Sequence, residues 1–204
     1  MSANGPREAG PREAGGTSPG VSRSVLVLTA SDRSASGGRV DASGAAVGER
    51  LAGLGFLVER AVVADEQAAI EAALRDASRR HPLIVTTGGT GLTPRDVTPQ
   101  ATLAVIDYEV PGMAEAMRAE GRRHTPMADL SRAVVGVCGR TLIVNLPGSP
   151  KGAIESLDAI VAVLNHALET LAGPFDHGSA APAAPDAASD LADPRVIAFP
   201  DEHE

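Results

Sequence analysis

Two segments each lie between an apolar stretch and a helix-start signal: Thr86-Thr87-Gly88-Gly89-Thr90-Gly91-Leu92-Thr93-Pro94-Arg95-Asp96-Val97-Thr98-Pro99 and Asn145-Leu146-Pro147-Gly148-Ser149-Pro150. Glycine lets a backbone approach an anion closely and adopt positive φ, and threonine hydroxyls donate to phosphate oxygens. Exposed N–H groups at the start of the following helix attract anions as well. Both segments therefore have the composition of a phosphate cradle. A fold that brings them to one edge lets them share one ligand. The first is not a Walker A loop, because no Lys-Ser or Lys-Thr follows its glycines at that spacing, and it lacks the full G-x-G-x-x-G of dinucleotide sites.

Each neighbouring residue has a plain reading beside the chemical one. Glycines between a strand and a helix also make an ordinary tight turn. Asp96 either caps its own loop or pairs with Arg95, or it holds Mg²⁺, which prefers oxygen ligands from a few carboxylates and phosphates. Asp65 has the position of an N-cap, yet it follows the second strand and so belongs on the same edge as the glycine loop after the third. Ser31 and Asp32, after the first strand, join that edge by the same reasoning. Ser149 reads as an N-cap whose helix start also suits an anion. Lys151 and Arg95 either neutralise phosphate charge or are solvated surface.

The elements that must position these residues alternate in type. Val25 to Thr29, Phe56 to Val63 and Leu83 to Thr87 read as strands, with helices over about Ser43 to Leu54 and Glu66 to Arg80 between them. Such βαβ units favour a mainly parallel sheet with right-handed crossovers and helices on both faces. Thr98 is expected as an N-cap with Pro99 at the first helical position, starting a helix to about Tyr108; another is expected over Met113 to Arg122. Ala133 to Cys138 and Thr141 to Leu146, joined by Gly139-Arg140, predict one antiparallel hairpin addition. A single last helix is expected from Ser149 to Gly173, its apolar stripe running from Ile154 to Leu171.

Composition narrows the function classes. A tandem Pro-Arg-Glu-Ala-Gly near the start and an Ala/Pro/Asp-rich end bury too little apolar surface to offset ordering entropy. Disordered tails are expected over 1–23 and 174–204, the latter acidic, around one domain at 24–173. The whole chain carries −8, but seven carboxylates against Arg195 in the last segment and three Arg against two Glu in the first leave −3 on the domain. That weak charge, with three Phe, one Tyr and no Trp, argues against nucleic-acid binding. A single Cys138 excludes an internal disulfide, and no leader or membrane-length apolar run occurs, so a soluble cytoplasmic protein is expected. His81, His124 and His166 have no metal-ligand spacing and there is no Gly-x-Ser-x-Gly elbow, which argues against zinc chemistry and a covalent hydrolase.

Several motifs in fixed order resemble one family. Thr87-Gly88-Gly89-Thr90-Gly91, Pro94-Arg95-Asp96-Val97-Thr98-Pro99, Glu109-Val110-Pro111-Gly112 followed by Arg118, Leu130-Ser131-Arg132 and Asn145-Leu146-Pro147-Gly148-Ser149-Pro150 resemble the molybdenum-cofactor biosynthesis proteins of the Mog and MoaB type, including the adenylyltransferase domain of animal gephyrin and its plant counterpart. The resemblance covers about residues 24 to 173. It implies a three-layer α/β domain, usually a homotrimer, that binds molybdopterin and Mg-ATP and makes adenylylated molybdopterin with release of pyrophosphate. It also implies that Asp65 and Asp96 are the catalytic acids that organise Mg²⁺ and the nucleotide phosphates. The pterin and phosphate pocket then maps to Gly88, Gly89, Thr90 and Gly91, with Thr93 and Thr98, and to Pro147, Gly148 and Ser149. Contact with other proteins of molybdenum cofactor synthesis is part of the same expectation.

The chain departs from the family pattern at Gln100, where relatives often have an acid, and at Ala45, where they commonly place proline. Neither change removes a proposed catalytic group. MoaB-type relatives do not all catalyse adenylylation, so a pterin carrier that does not use ATP is the alternative from the binding class. The intact Pro94-Arg95-Asp96-Val97-Thr98-Pro99 run looks closer to the active Mog type.

Overall fold

Along β1 (Ser24–Ala30), Val25 and Val27 alternate with Leu26 and Leu28, and the two sets belong to two different cores. A strand buried on both faces reads as a continuous apolar run, and it requires a layer of helices on each side. β3 (Leu83–Thr87) and β6 (Thr141–Leu146) are fully buried in the same way. The computed structural model describes residues 23–173, so the expected tails over 1–23 and 174–204 lie outside the described residues apart from Arg23.

The sheet has six strands in the order β2-β1-β3-β6-β5-β4. β2 (Leu57–Val63), β1, β3 and β6 run parallel, with Val25 opposite both Val58 and Leu83, and Leu83 opposite Leu142. β5 (Val135–Cys138) pairs antiparallel with β6 across Gly139-Arg140, as the hairpin signal predicts, and Gly139 has φ 59°. The first core is closed by α2 (Ala42–Gly53), α5 (Pro111–His124), α6 (Pro150–Asp158) and α7 (Val161–Ala172). The second is closed by α3 (Gln67–Ala77) and α4 (Thr98–Leu103). The three-layer architecture expected from the sequence is therefore present. No described helix is long and apolar enough to cross a membrane.

Four local expectations need correction. Asp65 does not cap α3: Glu66 occupies the cap position, and the Asp65 carboxylate instead accepts the backbone N–H of Asp32. Thr98 is not an N-cap either, since Val97 holds that position and Thr98 is the first helical residue. α4 stops at Leu103 because the N–H groups of Val105 and Ile106 both turn back onto Thr102 O, at 2.9 and 3.0 Å. This releases Asp107, whose N–H bonds Val137 O, and creates a short β4 (Tyr108–Glu109) beside β5. Finally, the last helix is two helices. The Ile160 N–H bonds Leu157 O at 3.0 Å, and this tighter turn redirects the chain while Leu157, Ile160, Leu164 and Leu168 remain in one core.

One polar group in the sheet fixes register beneath the functional edge. Asn145, fully buried, donates from Nδ2 to the hydroxyls of Thr86 at 3.0 Å and Thr102 at 2.9 Å, while its Oδ1 accepts the Val134 N–H. A buried amide is tolerated only when its donors and acceptor are met, so β6, β3, α4 and the start of β5 are held in a single alignment.

Candidate functional site

The strand order places β2 on one side of β1 and β3 on the other, so the chains leaving the carboxyl ends of β1 and β3 diverge. Ligands of open α/β sheets bind in the crevice that such a reversal creates. Here both glycine loops converge on it. Gly88 N–H donates to Leu146 O at 3.3 Å, and the Thr87 hydroxyl donates to Pro147 O at 2.8 Å. A Cβ on Gly148 would lie 3.2 Å from Gly88 Cα, and a Cβ on Gly88, whose φ is 94°, would lie 2.4 Å from Ala30 O. Three backbones thus meet where a side chain does not fit.

The first loop is braced from behind by Thr98. Its hydroxyl donates to Gly88 O at 2.9 Å and its N–H to Gly89 O at 3.1 Å, and the residue is fully buried. Thr98 therefore shapes the cradle, with its hydroxyl hydrogen already committed. On the far side, Arg132 donates from Nε to Gly91 O at 2.7 Å and from Nη2 to Asp96 O.

Two cavities adjoin the glycine loops. One, of about 270 Å³, has a largely apolar wall and includes Thr90, Gly91, Met117, Arg118, Pro147 and Ser149. The other, of about 140 Å³, is mainly polar and includes Thr29, Ser31, Arg39, Asp41, Gly88 and Gly148. The sequence-predicted residues are thus divided between two cavities, Thr90, Gly91, Pro147 and Ser149 lining the larger and Ser31, Gly88 and Gly148 the smaller. Ser149 is the N-cap of α6, its Oγ accepting Gly152 N–H at 3.2 Å.

Asp32, Asp65 and Asp96 are not among the residues that line either cavity. Asp32, the first residue of the short helix α1 (Asp32–Ala35), and Asp65 exchange bonds: Asp32 N–H donates to Asp65 Oδ2 at 3.0 Å, and Asp65 N–H donates to Asp32 Oδ1 at 2.9 Å. Arg95 pairs with Asp32, not with Asp96 as one reading of the sequence allowed. Asp96 accepts the N–H and hydroxyl of Thr93 on Oδ2, at 2.8 and 2.7 Å. Asp65, Asp32 and Arg95 therefore form one chain of contacts, and the Asp96 carboxylate, bonded to Thr93, stands outside it. Lys151 lies 3.7 Å from Glu155 on the surface of α6.

Three carboxylates near the loops, Asp32, Asp96 and Asp41, are held ionised. The Asp65 N–H and then Arg95 pull the Asp32 carboxyl below its ordinary value. Burial pushes Asp96 up, but the hydroxyl and N–H of Thr93, the Gly91 N–H and the Arg132 charge together leave it lowered. Asp41, the N-cap of α2, follows the same pattern: burial raises it, and the opposing pull of Arg60, the Gly44 N–H and the Thr29 hydroxyl prevails.

Sequence reasoning did not single out Asp41, Arg39 or Arg60 as site residues. Asp41 carried a usable signal, since an aspartate three residues before Gly44 is a cap pattern and Gly44 N–H donates to it at 2.8 Å. The Arg60 guanidinium, 2.8 Å from Asp41 Oδ2, comes from β2 and had no local signal. Because the folded Asp41 carboxyl lies below its ordinary 3.8, the stability it confers is full above that pH and is lost as pH falls through the folded value. Melting temperatures of the wild type and Asp41→Asn between pH 7 and 3 should therefore converge on the acid side, with the wild type higher near neutrality. A gap independent of pH contradicts this.

Residues 26–166 match the family described as "probable molybdopterin binding domain". The molybdopterin adenylyltransferase of Helicobacter pylori is 39% identical over 158 residues, which are 74% of this chain and 89% of that protein. The protein of the same name from Escherichia coli K12 is 42% identical over 142 residues, 67% of this chain and 72% of that one. Among solved structures, the molybdopterin biosynthesis enzyme MoaB from Thermus thermophilus aligns with a TM-score of 0.70 at 52% identity, covering 75% of this chain and 99% of its own. The chain belongs to the molybdopterin-binding family of molybdenum cofactor biosynthesis proteins.

Proposed function

We propose that the protein is a molybdopterin adenylyltransferase that uses Mg-ATP and releases pyrophosphate. The observation that carries this reading is the pair of cavities at the two glycine loops, one largely apolar and one mainly polar, which give room for two substrates of different chemistry. The names of the relatives from Helicobacter pylori and Escherichia coli support it.

In this reading the terminal phosphate of molybdopterin attacks the α-phosphorus of ATP. An oxygen–phosphorus bond forms there as the bond to the β-phosphate oxygen breaks, and pyrophosphate leaves. A phosphate monoester carries about −1.5 to −2 charge at pH 7, so it needs little help from a general base. Positioning and neutralisation of charge dominate instead. The N–H groups of Thr90 and Gly91 and the Thr90 hydroxyl hold the pterin phosphate, and the apolar wall with Met117 and Pro147 takes the pterin ring. Thr98 and Thr93 keep the loop and Asp96 in place. Ser149 and the start of α6 add donors at the same junction.

Asp65 and Asp96 are the residues that would hold Mg²⁺, with Asp32 orienting Asp65 through their reciprocal bonds. The donor set fits that ion. Mg²⁺ is typically held by one or two carboxylates together with substrate phosphates, and Asp65 Oδ1 accepts no hydrogen bond among the described residues. Asp96 is kept ionised, and its hard oxygens match the ion's preference. When bound, Mg²⁺ supplies charge neutralisation to the transferring phosphate.

We further read the chain as a cytoplasmic homotrimer acting beside other proteins of molybdenum cofactor synthesis.

Purified protein given molybdopterin, ATP and Mg²⁺ should form adenylylated molybdopterin and equimolar pyrophosphate, and omission of any one component should abolish both. Tight molybdopterin binding with neither product would make the protein a carrier instead.

A further inference from the structure

The smaller chamber contains a cation that the rest of the fold does not use. Arg39, on the approach to α2, lines the cavity, and its guanidinium makes no hydrogen bond or ion pair among the described residues. The hydroxyls of Ser31, Ser34 and Ser43 line the same space and donate to no acceptor among the described residues. Ser43, a residue only 8% exposed, lines the chamber, and its hydroxyl has no protein partner among the described residues. The Asp41 carboxylate is also on this wall, but Arg60, Thr29 and Gly44 already occupy it and its side chain is 10% exposed. With Asp41 matched to Arg60, Arg39 leaves the chamber positively charged.

Size and place then select the ligand. About 140 Å³ falls well below the ~300 Å³ at the low end of pockets that enclose a drug-sized molecule, so a small polyanion fits where a nucleoside does not. The chamber sits at the sheet's topological reversal, with Gly88 of one glycine loop and Gly148 of the other on its wall.

We propose that Arg39, with Ser31, Ser34 and Ser43, forms an anion subsite for the diphosphate end of ATP and for the pyrophosphate that leaves. The assignment to that substrate rests on the adenylyl-transfer reading above and deepens it. Arg39 supplies the planar two-donor fork that suits phosphate oxygens, and the serines complete the shell around it.

The test is calorimetric titration of the full-length protein with inorganic pyrophosphate at fixed ionic strength, alongside steady-state kinetics. Arg39→Ala should weaken pyrophosphate binding about 10- to 100-fold, the loss expected for one charge-assisted contact. It should raise KM for ATP while leaving KM for molybdopterin unchanged. Arg39→Lys should recover part of the binding, and Ser43→Ala should weaken it to a smaller degree. Arg33→Ala, on α1 and outside the cavity lining, serves as a charge control and should bind like the wild type. Arg39 is exposed and has no side-chain partner, so the melting temperature of Arg39→Ala should not move. Equal pyrophosphate affinity in wild type and Arg39→Ala, no binding by either, or equal losses in Arg33→Ala and Arg39→Ala would each overturn the subsite. Pyrophosphate binding that depends on Arg39 in a protein that makes no adenylylated product would support the subsite and reject the transferase reading.

Discussion

Asp96→Asn should keep the fold and lower the rate of adenylylated molybdopterin formation by a factor of about 10² to 10³ or more, the range for loss of one preorganised electrostatic group. The amide oxygen of asparagine can still accept the Thr93 N–H and hydroxyl, so the local turn has its donors satisfied. What the variant loses is the negative charge that Thr93, Gly91 and Arg132 stabilise against burial. A loop residue that merely fixes its own turn would tolerate this exchange. Initial rates of product and pyrophosphate formation, measured beside a thermal unfolding curve, separate the two roles. A variant with wild-type rates would remove Asp96 from the chemistry, and a variant that unfolds at much lower temperature would make it a structural residue.

Gly88→Ala is the second large effect, and it should strike stability and activity together. A φ of 94° is a conformation that L side chains rarely adopt, and the new Cβ would lie 2.4 Å from the Ala30 carbonyl oxygen, with backbone on both sides of the clash. Left-handed strain costs about 1–2 kcal/mol, and forced overlap in a packed region adds about 1–3 kcal/mol. Loss of about 2–5 kcal/mol is expected, and for a domain of this size each kcal/mol moves the melting temperature by roughly 2–4 °C. The relief available is to part the ends of β1 and β3, which deforms the wall that Ala30, Gly88 and Gly148 give the smaller cavity. Thermal unfolding and the product assay should therefore fall in the same variant. An unchanged melting temperature would mean that the three backbones are not in fixed contact.

The sequence revealed elements whose signal is local. β1, β3 and β6 read as continuous apolar runs because each is buried on both faces, and Gly139-Arg140 marked the hairpin because a positive φ is needed there. The two glycine loops were legible for the same reason, since close approach of backbones leaves no alternative to glycine. The break at Ile160 was not, because neither glycine nor proline marks it and the apolar stripe continues through both helices. The short β4 exists only through its pairing with β5.

Side-chain partnerships were harder to read than elements. Asp65 has the composition and position of a cap, and it was drawn elsewhere by an N–H at Asp32, 33 residues away. Arg95 was adjacent to Asp96 in sequence, yet its length carries it to Asp32. The smaller chamber depends on Arg60 holding Asp41, a contact that requires β2 and the start of α2 to be in register first. The site residues visible in the sequence are thus those constrained by their own backbone, and those that remained hidden act through tertiary pairing.

The most direct measurement is to supply ATP labelled at the α-phosphorus or at the γ-phosphorus, with molybdopterin and Mg²⁺, and to follow where each label goes. The account predicts α-label in the molybdopterin product and γ-label in pyrophosphate, in equal amounts. Label from the γ position on molybdopterin, or no transfer of either label while molybdopterin binds, would contradict it.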